Sequence, residues 1–191
     1  MLLKAGASMQ CCGGIDTPAH VSAFRGDVDC MREIIGAGFD INTRGRTGRD
    51  STILHEALCG GVRMVMYLLK HAGGETLVNA GDYFHQTPLH FVAGSFSFRY
   101  KRRVLTKLLL QHGADIYARG IFRNTPAHVA AYKGDVDTIQ VLIAAGIDFH
   151  TTMPFGETIL HSAVHNCKGV LEYLLRQEGV RNEVMNDKGN W

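Results

Sequence analysis

Apolar positions along the chain fall into paired runs with polar breaks between them. The second run of each pair closes on an apolar doublet followed by a glycine: Ile34-Ile35 to Gly38, Leu68-Leu69 to Gly73, Leu109-Leu110 to Gly113, Leu142-Ile143 to Gly146 and Leu174-Leu175 to Gly179. Glycine in that place supplies the left-handed residue on which helices end. Asp40-Ile41-Asn42, Asp115-Ile116-Tyr117 and Asp148-Phe149-His150 then alternate polar and apolar, the pattern of a short hairpin. The first run of each pair opens on a recurring phrase: Thr17-Pro18-Ala19-His20, Thr52-Ile53-Leu54-His55, Thr87-Pro88-Leu89-His90, Thr125-Pro126-Ala127-His128 and Thr158-Ile159-Leu160-His161. Thr caps a helix with its hydroxyl, and Pro fits the first turn, where no amide hydrogen is needed. Turns at Gly26-Asp27-Val28, Gly61-Val62 and Gly134-Asp135-Val136 separate the two runs. The phrases start 35, 35, 38 and 33 positions apart, a period that predicts stacked units rather than one globular core. First helices are expected at about 17–25, 52–60, 87–95, 125–133 and 158–166.

Helix, turn, helix, hairpin with these words closely resembles the ankyrin repeat, five times in register and over essentially all 191 residues. The resemblance implies an all-α solenoid of stacked helix-turn-helix units joined by short β-hairpin loops. It reads as one domain spanning 1–191, with a partial repeat and hairpin at 1–16 and repeats at 17–51, 52–86, 87–124, 125–157 and 158–190. Leu2-Leu3-Lys4-Ala5-Gly6-Ala7 resembles the close of an earlier unit and Asn186-Asp187-Lys188-Gly189-Asn190 the approach to a later one. The chain is therefore expected to be a slice of a longer array, or an array whose caps have degenerated. In this family the Thr and His of the phrase hydrogen-bond within and between units, so His20, His55, His90, His128 and His161 are expected to be staples. The other histidines, His71, His85, His112, His150 and His165, lie in different units without ligand spacing, so no metal is expected.

Composition narrows the function classes. A chain 46% hydrophobic and 20% charged has the make-up of a folded protein. Its five cysteines, Cys11, Cys12, Cys30, Cys59 and Cys167, are odd in number and lack C-x-x-C pairing, which speaks against a disulfide framework and a zinc knuckle and fits the cytoplasm or nucleus. No apolar stretch reaches the length of a membrane span, so no membrane insertion is expected. A net charge of +2 argues against a specific nucleic-acid binder. No phosphate loop ending in Lys-Ser or Lys-Thr and no nucleophile elbow occurs, so neither a catalytic residue nor a cofactor is expected.

Two basic clusters stand out. Arg44-Gly45-Arg46-Thr47-Gly48-Arg49 lies in a hairpin about two residues longer than its neighbours. Arg99, Lys101, Arg102 and Arg103 follow or interleave with Phe96, Phe98 and Tyr100 in an insertion: Thr87 to Gly113 spans 26 positions where Thr125 to Gly146 spans 21. Such a loop forms an auxiliary anionic contact, or tucks its aromatics onto the array and leaves its cations to water.

In ankyrin arrays partners lie along the hairpin tips and the exposed ends of the first helices. Three positions before the repeated Thr stand Phe84, Phe122 and Phe155, beside Tyr83, Ile121 and Pro154, with Arg49 in the same slot of a flanking unit. These aromatics either anchor a partner or pack against the next hairpin. At the ends of first helices, Phe24-Arg25 and Tyr132-Lys133 repeat an aromatic-basic pair, flanked in the same slot by Cys59-Gly60 and His165-Asn166. That chemistry suits an extended peptide with apolar and acidic side chains. The resemblance thus implies a non-catalytic module for a protein or peptide partner, monomeric or part of a larger chain. The alternatives are the targeting arm of a larger enzyme or pathogen effector, and an inhibitor of a signalling or transcription factor. Separately, the segment from Ile35 to Asn42 resembles one whose asparagine is hydroxylated in some ankyrin proteins; otherwise Asn42 bonds its own hairpin.

Overall fold

The computed structural model describes residues 17–45, 49–71, 74–95, 100–164 and 168–177. The expected partial unit at 1–16, the tail at 178–190, and Arg99, His165, Asn166, Cys11, Cys12 and Cys167 lie outside the described residues.

Each repeated phrase starts a helix where its chemistry requires one. The first helices are α1 (Pro18–Arg25), α3 (Ile53–Gly60), α6 (Pro88–Gly94), α8 (Pro126–Lys133) and α10 (Ile159–Val164). Ahead of them Thr17, Thr52, Thr87 and Thr125 hold extended backbone, the conformation of a capping residue. The second helices are α2 (Val28–Gly36), α4 (Val62–His71), α7 (Arg102–Gln111), α9 (Val136–Ala144) and α11 (Lys168–Leu175). Asp27 and Asp135 cap α2 and α9, their Oδ1 atoms accepting from the Cys30 and Thr138 amides at 2.9 and 3.2 Å. A short extra helix, α5 (Gly74–Leu77), follows α4; it carries Leu77 into the core next to Val78, which the repeat pattern did not foreshadow.

The helices form two layers. First helices stack α1 on α3, α3 on α6, α6 on α8 and α8 on α10; second helices stack behind them, α2 on α4, α4 on α7, α7 on α9 and α9 on α11. Small residues let the first helices approach: Ala19, Ala23, Ala57, Ala93, Ala127, Ala130, Ala131 and Ala163 are fully buried. Closest of all is Gly60, where a Cβ would stand 2.0 Å from the Ala23 carbonyl oxygen. The leading member of each doublet, Ile34, Leu68, Leu109, Leu142 and Leu174, is core, while Ile35, Leu110 and Ile143 are only partly covered.

The hairpins are tight turns with little ladder. One main-chain bond spans each: Gly45 donates to Ser51 (2.8 Å), Asp82 to Gln86 (2.9 Å), Gly120 to Asn124 (3.0 Å) and Met153 to Glu157 (2.8 Å), with an inner turn bond in the last three from His85, Arg123 and Gly156. Among the described residues the remaining extended pairing is an isolated bridge between Thr152 and Thr158. Thr begins the next helix one residue after most of these closures, which leaves no length for strands. Position two before Thr takes a left-handed φ in each tip, at Asp50, His85, Arg123 and Gly156.

Candidate functional site

The repeated histidine builds the stack from its ring outward. In units two, three and four Nδ1 accepts the amide hydrogen of the preceding Thr, at 3.3 Å for His55, 3.2 Å for His90 and 3.3 Å for His128. A neutral ring that accepts at Nδ1 carries its hydrogen on Nε2. His55 donates that hydrogen to the Gln86 carbonyl at 3.0 Å and His90 to the Asn124 carbonyl at 3.1 Å, each bond reaching the next hairpin. Burial lowers the pKa of His55 to about 4 and that of His90 below the usual value, so both rings are neutral near pH 7.

The hairpin tips are joined by a second set of bonds. Tyr83 donates its amide to the Arg49 carbonyl at 2.7 Å, and Ile121 donates to Phe84 at 2.8 Å. Arg49 strengthens the first junction: it pairs with buried Asp82 at 3.4 Å and stands 5.7 Å over the rings of both Phe84 and Phe91. Phe84 is accordingly half-buried, edge-on to Tyr83. Phe84 and Arg49 are thus tied into the array itself, by their mutual attraction and by Asp82.

Between units four and five the tip-to-tip bond fails. The slot of Tyr83 and Ile121 is filled by Pro154, which has no amide hydrogen to give the Phe122 carbonyl. His128 is 1% exposed and its pKa is lowered to about 4 by burial, partly offset by hydrogen bonding to the Glu157 and Thr151 backbone. Ser162 Oγ and Asn124 Oδ1 are buried and unpartnered. Arg119 ties the two hairpins here, donating to the carbonyls of Arg123 and Thr152 at 2.6 and 2.7 Å, as Arg44 does with Asp50 and Gly81 at the junction of units two and three.

A cleft of about 850 Å³ opens there. Ile121, Phe122, Tyr132, Met153 and Phe155 supply its apolar surface and Arg123, Lys133 and Glu157 its charges, with His128 and Ser162 in its wall. Phe122 is 72% exposed and Phe155 fully so, in contrast to Phe84 in the same slot. Phe155 also holds a φ of +72°, strained for a bulky residue at a typical cost of about 1–3 kcal/mol. A second, smaller cleft of about 340 Å³ runs on past Gln86, Val129 and Lys133 to Arg49, Phe91 and His90.

The structure thus brings Ile121, Phe122, Phe155, Tyr132 and Lys133 together and leaves other expected residues apart. Tyr83 is exposed on its own tip, and Phe24 and Arg25 are exposed at the end of α1, outside both clefts. The repeat alignment contained no signal for Met153 or Ser162; Pro154, in a slot where its neighbours donate, was the one available cue to an open junction.

Arg102 corrects the expectation of a solvent-facing basic cluster. Its guanidinium is buried, donating to the Ser95 carbonyl and pairing with buried Asp135 at 3.3 Å, because the first residue of α7 faces the cap of α9. Lys101 and Arg103 remain exposed, Arg103 donating to Gln140 at 3.0 Å. Asn42 lies exposed with its amide and side chain both donating to Asp40 Oδ1, at 2.9 and 3.2 Å. No group of three or more His, Cys, Asp or Glu able to hold a metal ion occurs among the described residues, nor any helix long and apolar enough to cross a membrane.

Known proteins are similar to this chain over part of their own length. A transient receptor potential cation channel subfamily A member 1 homolog of Caenorhabditis elegans is 28% identical over 91% of this chain, which spans 14% of that protein. The E3 ubiquitin-protein ligase KEG of Arabidopsis thaliana is 24% identical over the full chain, again 14% of its own length. Human ankyrin repeat and SOCS box protein 16 is 30% identical over 80% of the chain, which spans 32% of it. The family model for ankyrin repeats in three copies matches residues 19–119 and again 97–186. With most of its length matched in this way, the chain belongs to the ankyrin-repeat family.

Proposed function

We propose that the chain is a non-catalytic recognition module that takes a protein or extended peptide along its hairpin tips and the inner ends of its first helices. One observation carries the reading. Ile121, Phe122, Tyr132 and Phe155 expose large apolar surfaces yet converge on a single cleft, an arrangement typical of contact sites rather than of scattered surface hydrophobes. Ankyrin repeats are in general protein-interaction modules, and the relatives share the repeats while differing in everything their names state. The unpaired thiol of Cys30 at the surface suits a reducing compartment, the cytoplasm or nucleus.

A second reading makes this module the targeting arm of a larger enzyme. The match to a protein named as an E3 ubiquitin ligase, of which this chain would be a small share, favours it over the inhibitor and effector alternatives. Both readings use the same cleft. Affinity capture from the native lysate, with the parent chain beside a Phe122→Ser/Phe155→Ser variant, tests them together. Truncated anchors commonly cost at least about 2 kcal/mol, so the variant should lose its partner by more than about tenfold while keeping its melting temperature. A partner retained equally by both proteins would contradict the proposal, and co-capture of ubiquitin-transfer components would select the second reading.

A further inference from the structure

Charge is segregated along the layer of second helices. The sequence holds no Asp or Glu between Glu56 and Glu75, nor between Asp82 and Asp115; all of α4 lies in the first stretch and all of α7 in the second. Counted back from the apolar doublet, the slot that gives α2 and α9 their capping carboxylates, Asp27 and Asp135, holds Gly61 ahead of α4 and Arg102 in α7. Arg102 is neutralised by buried Asp135. Arg63, Lys70, Lys101, Arg103 and Lys107 are exposed, and none has an acidic partner among the described residues. The two helices pack side by side, and Lys101 leans across the seam: its Nζ lies 3.4 Å from where a Cβ on Gly61 would stand. Five cations thus share one surface. Acid-bearing helices border it, with Asp29 and Glu33 on α2 and Asp137 on α9.

Apolar side chains protrude among these cations. Met66 lies one helical turn from Arg63 and Lys70, and Val104 one turn from Lys107. Tyr100, beside Lys101, is 98% exposed. We propose that the outer face of α4 and α7 rests against an anionic lipid bilayer. A bilayer presents a plane of negative headgroups to all five cations at once, and beneath it apolar chains that receive Met66, Val104 and the Tyr100 ring. A nucleic-acid backbone would engage the cations and leave Met66 and Val104 unused. An acidic peptide anchors its side chains in a groove, whereas these residues stand out from two neighbouring helices. Neither cleft draws a residue from α4 or α7, so the lipid-facing surface leaves both clefts open to a protein partner. The inference stands independently of the recognition reading above.

Co-sedimentation of the intact chain with vesicles tests it, using mixed phosphatidylserine and phosphatidylcholine beside pure phosphatidylcholine. Partition onto the anionic vesicles should be at least about tenfold stronger, and rising salt should release the chain. Each cation near such a surface is worth about fivefold, so Lys101→Gln/Lys107→Gln should lower partition by at least about tenfold. Arg32→Gln/Arg176→Gln removes as much charge from the same layer outside the patch and should stay within about threefold. Val104→Ser, with charge unchanged, should weaken partition by about threefold. All five substituted positions are exposed, and unchanged melting temperatures would show that the variants fold. Equal partition onto the two kinds of vesicle, or equal loss in the two double variants, would overturn the inference. Loss of vesicle binding in Phe122→Ser/Phe155→Ser would overturn it too, by putting the lipid on the cleft face. Duplex DNA or polyglutamate bound through Lys101 and Lys107, with no partition onto vesicles, would assign the face to another anion and contradict the proposal.

Discussion

The junction of units two and three and that of units four and five are built from the same words and end differently. At the first, His55 reaches Gln86, Tyr83 bonds Arg49, and Arg49 in turn grips Asp82 and faces Phe84 and Phe91. At the second, Pro154 has no amide hydrogen to give, and Phe122 and Phe155 face solvent across a cleft. The contrast shows that the repeat words secure the helices of every unit, while the fit between tips is negotiated residue by residue. A closed junction contributes to stability; an open one offers an unmet carbonyl, that of Phe122, and uncovered apolar surface to a partner.

What the junctions share should be costly to break at either end of the array. Leu109→Ala in unit three and Leu142→Ala in unit four each remove a fully buried side chain and should destabilise by roughly 2–5 kcal/mol in chemical denaturation. Comparable losses at both sites would show that the helical layers are equally sound on the two sides of the cleft. Arg102→Ala should cost about 3–5 kcal/mol by stranding the buried Asp135 carboxylate, while Arg103→Ala stays within about 0.5 kcal/mol. Equal effects of the two arginine variants would restore the solvent-facing view of that cluster.

Acid should loosen the staples. His55 and His128 titrate near 4 in the folded chain, below the ordinary histidine value of 6.5, because burial disfavours the charged ring. The unfolded chain therefore binds more protons between these limits, and stability falls as pH drops from about 6.5 toward 4 and is unaffected above that window. The loss is on the order of 3 kcal/mol per histidine, measurable as a declining denaturation midpoint that flattens in a His55→Phe/His128→Phe background. Smaller still is the effect of Pro154→Ala. It restores an amide donor to the fifth tip, worth about 0.5–1.5 kcal/mol if bonded to Phe122, against roughly 0.4–1 kcal/mol from a looser unfolded chain. Stability should change little while peptide affinity falls, since the ligand then competes with a native rung.

The helical layers were legible because each unit spells its own start, turn and stop within a few residues: Thr and Pro at the cap, an apolar doublet, a left-handed glycine. Site geometry was less so, for reasons that lie outside any one unit. Phe84 and Phe122 occupy one slot in the alignment, and their fates diverge through Arg49, which lies in the hairpin preceding Phe84 and stands over its ring. Arg102 looked like its basic neighbours, and its burial is set by Asp135, 33 positions downstream. The aromatic-basic pairs at Phe24-Arg25 and Tyr132-Lys133 match in register, yet only the latter borders a cleft, since at the near end of the array Gly60 lets the backbones of α1 and α3 close together. Local words predict elements; pairings a full repeat apart decide which surface stays open.

Residue-resolved amide hydrogen exchange tests the difference between the two junctions most directly. With no partner present, the Tyr83 and Ile121 amides, which bond the preceding tips, should exchange at least about tenfold more slowly than the Phe155 amide of the fifth tip, and a bound peptide should slow the latter selectively. Uniform protection across all the tips, unchanged when peptide is added, would contradict the account.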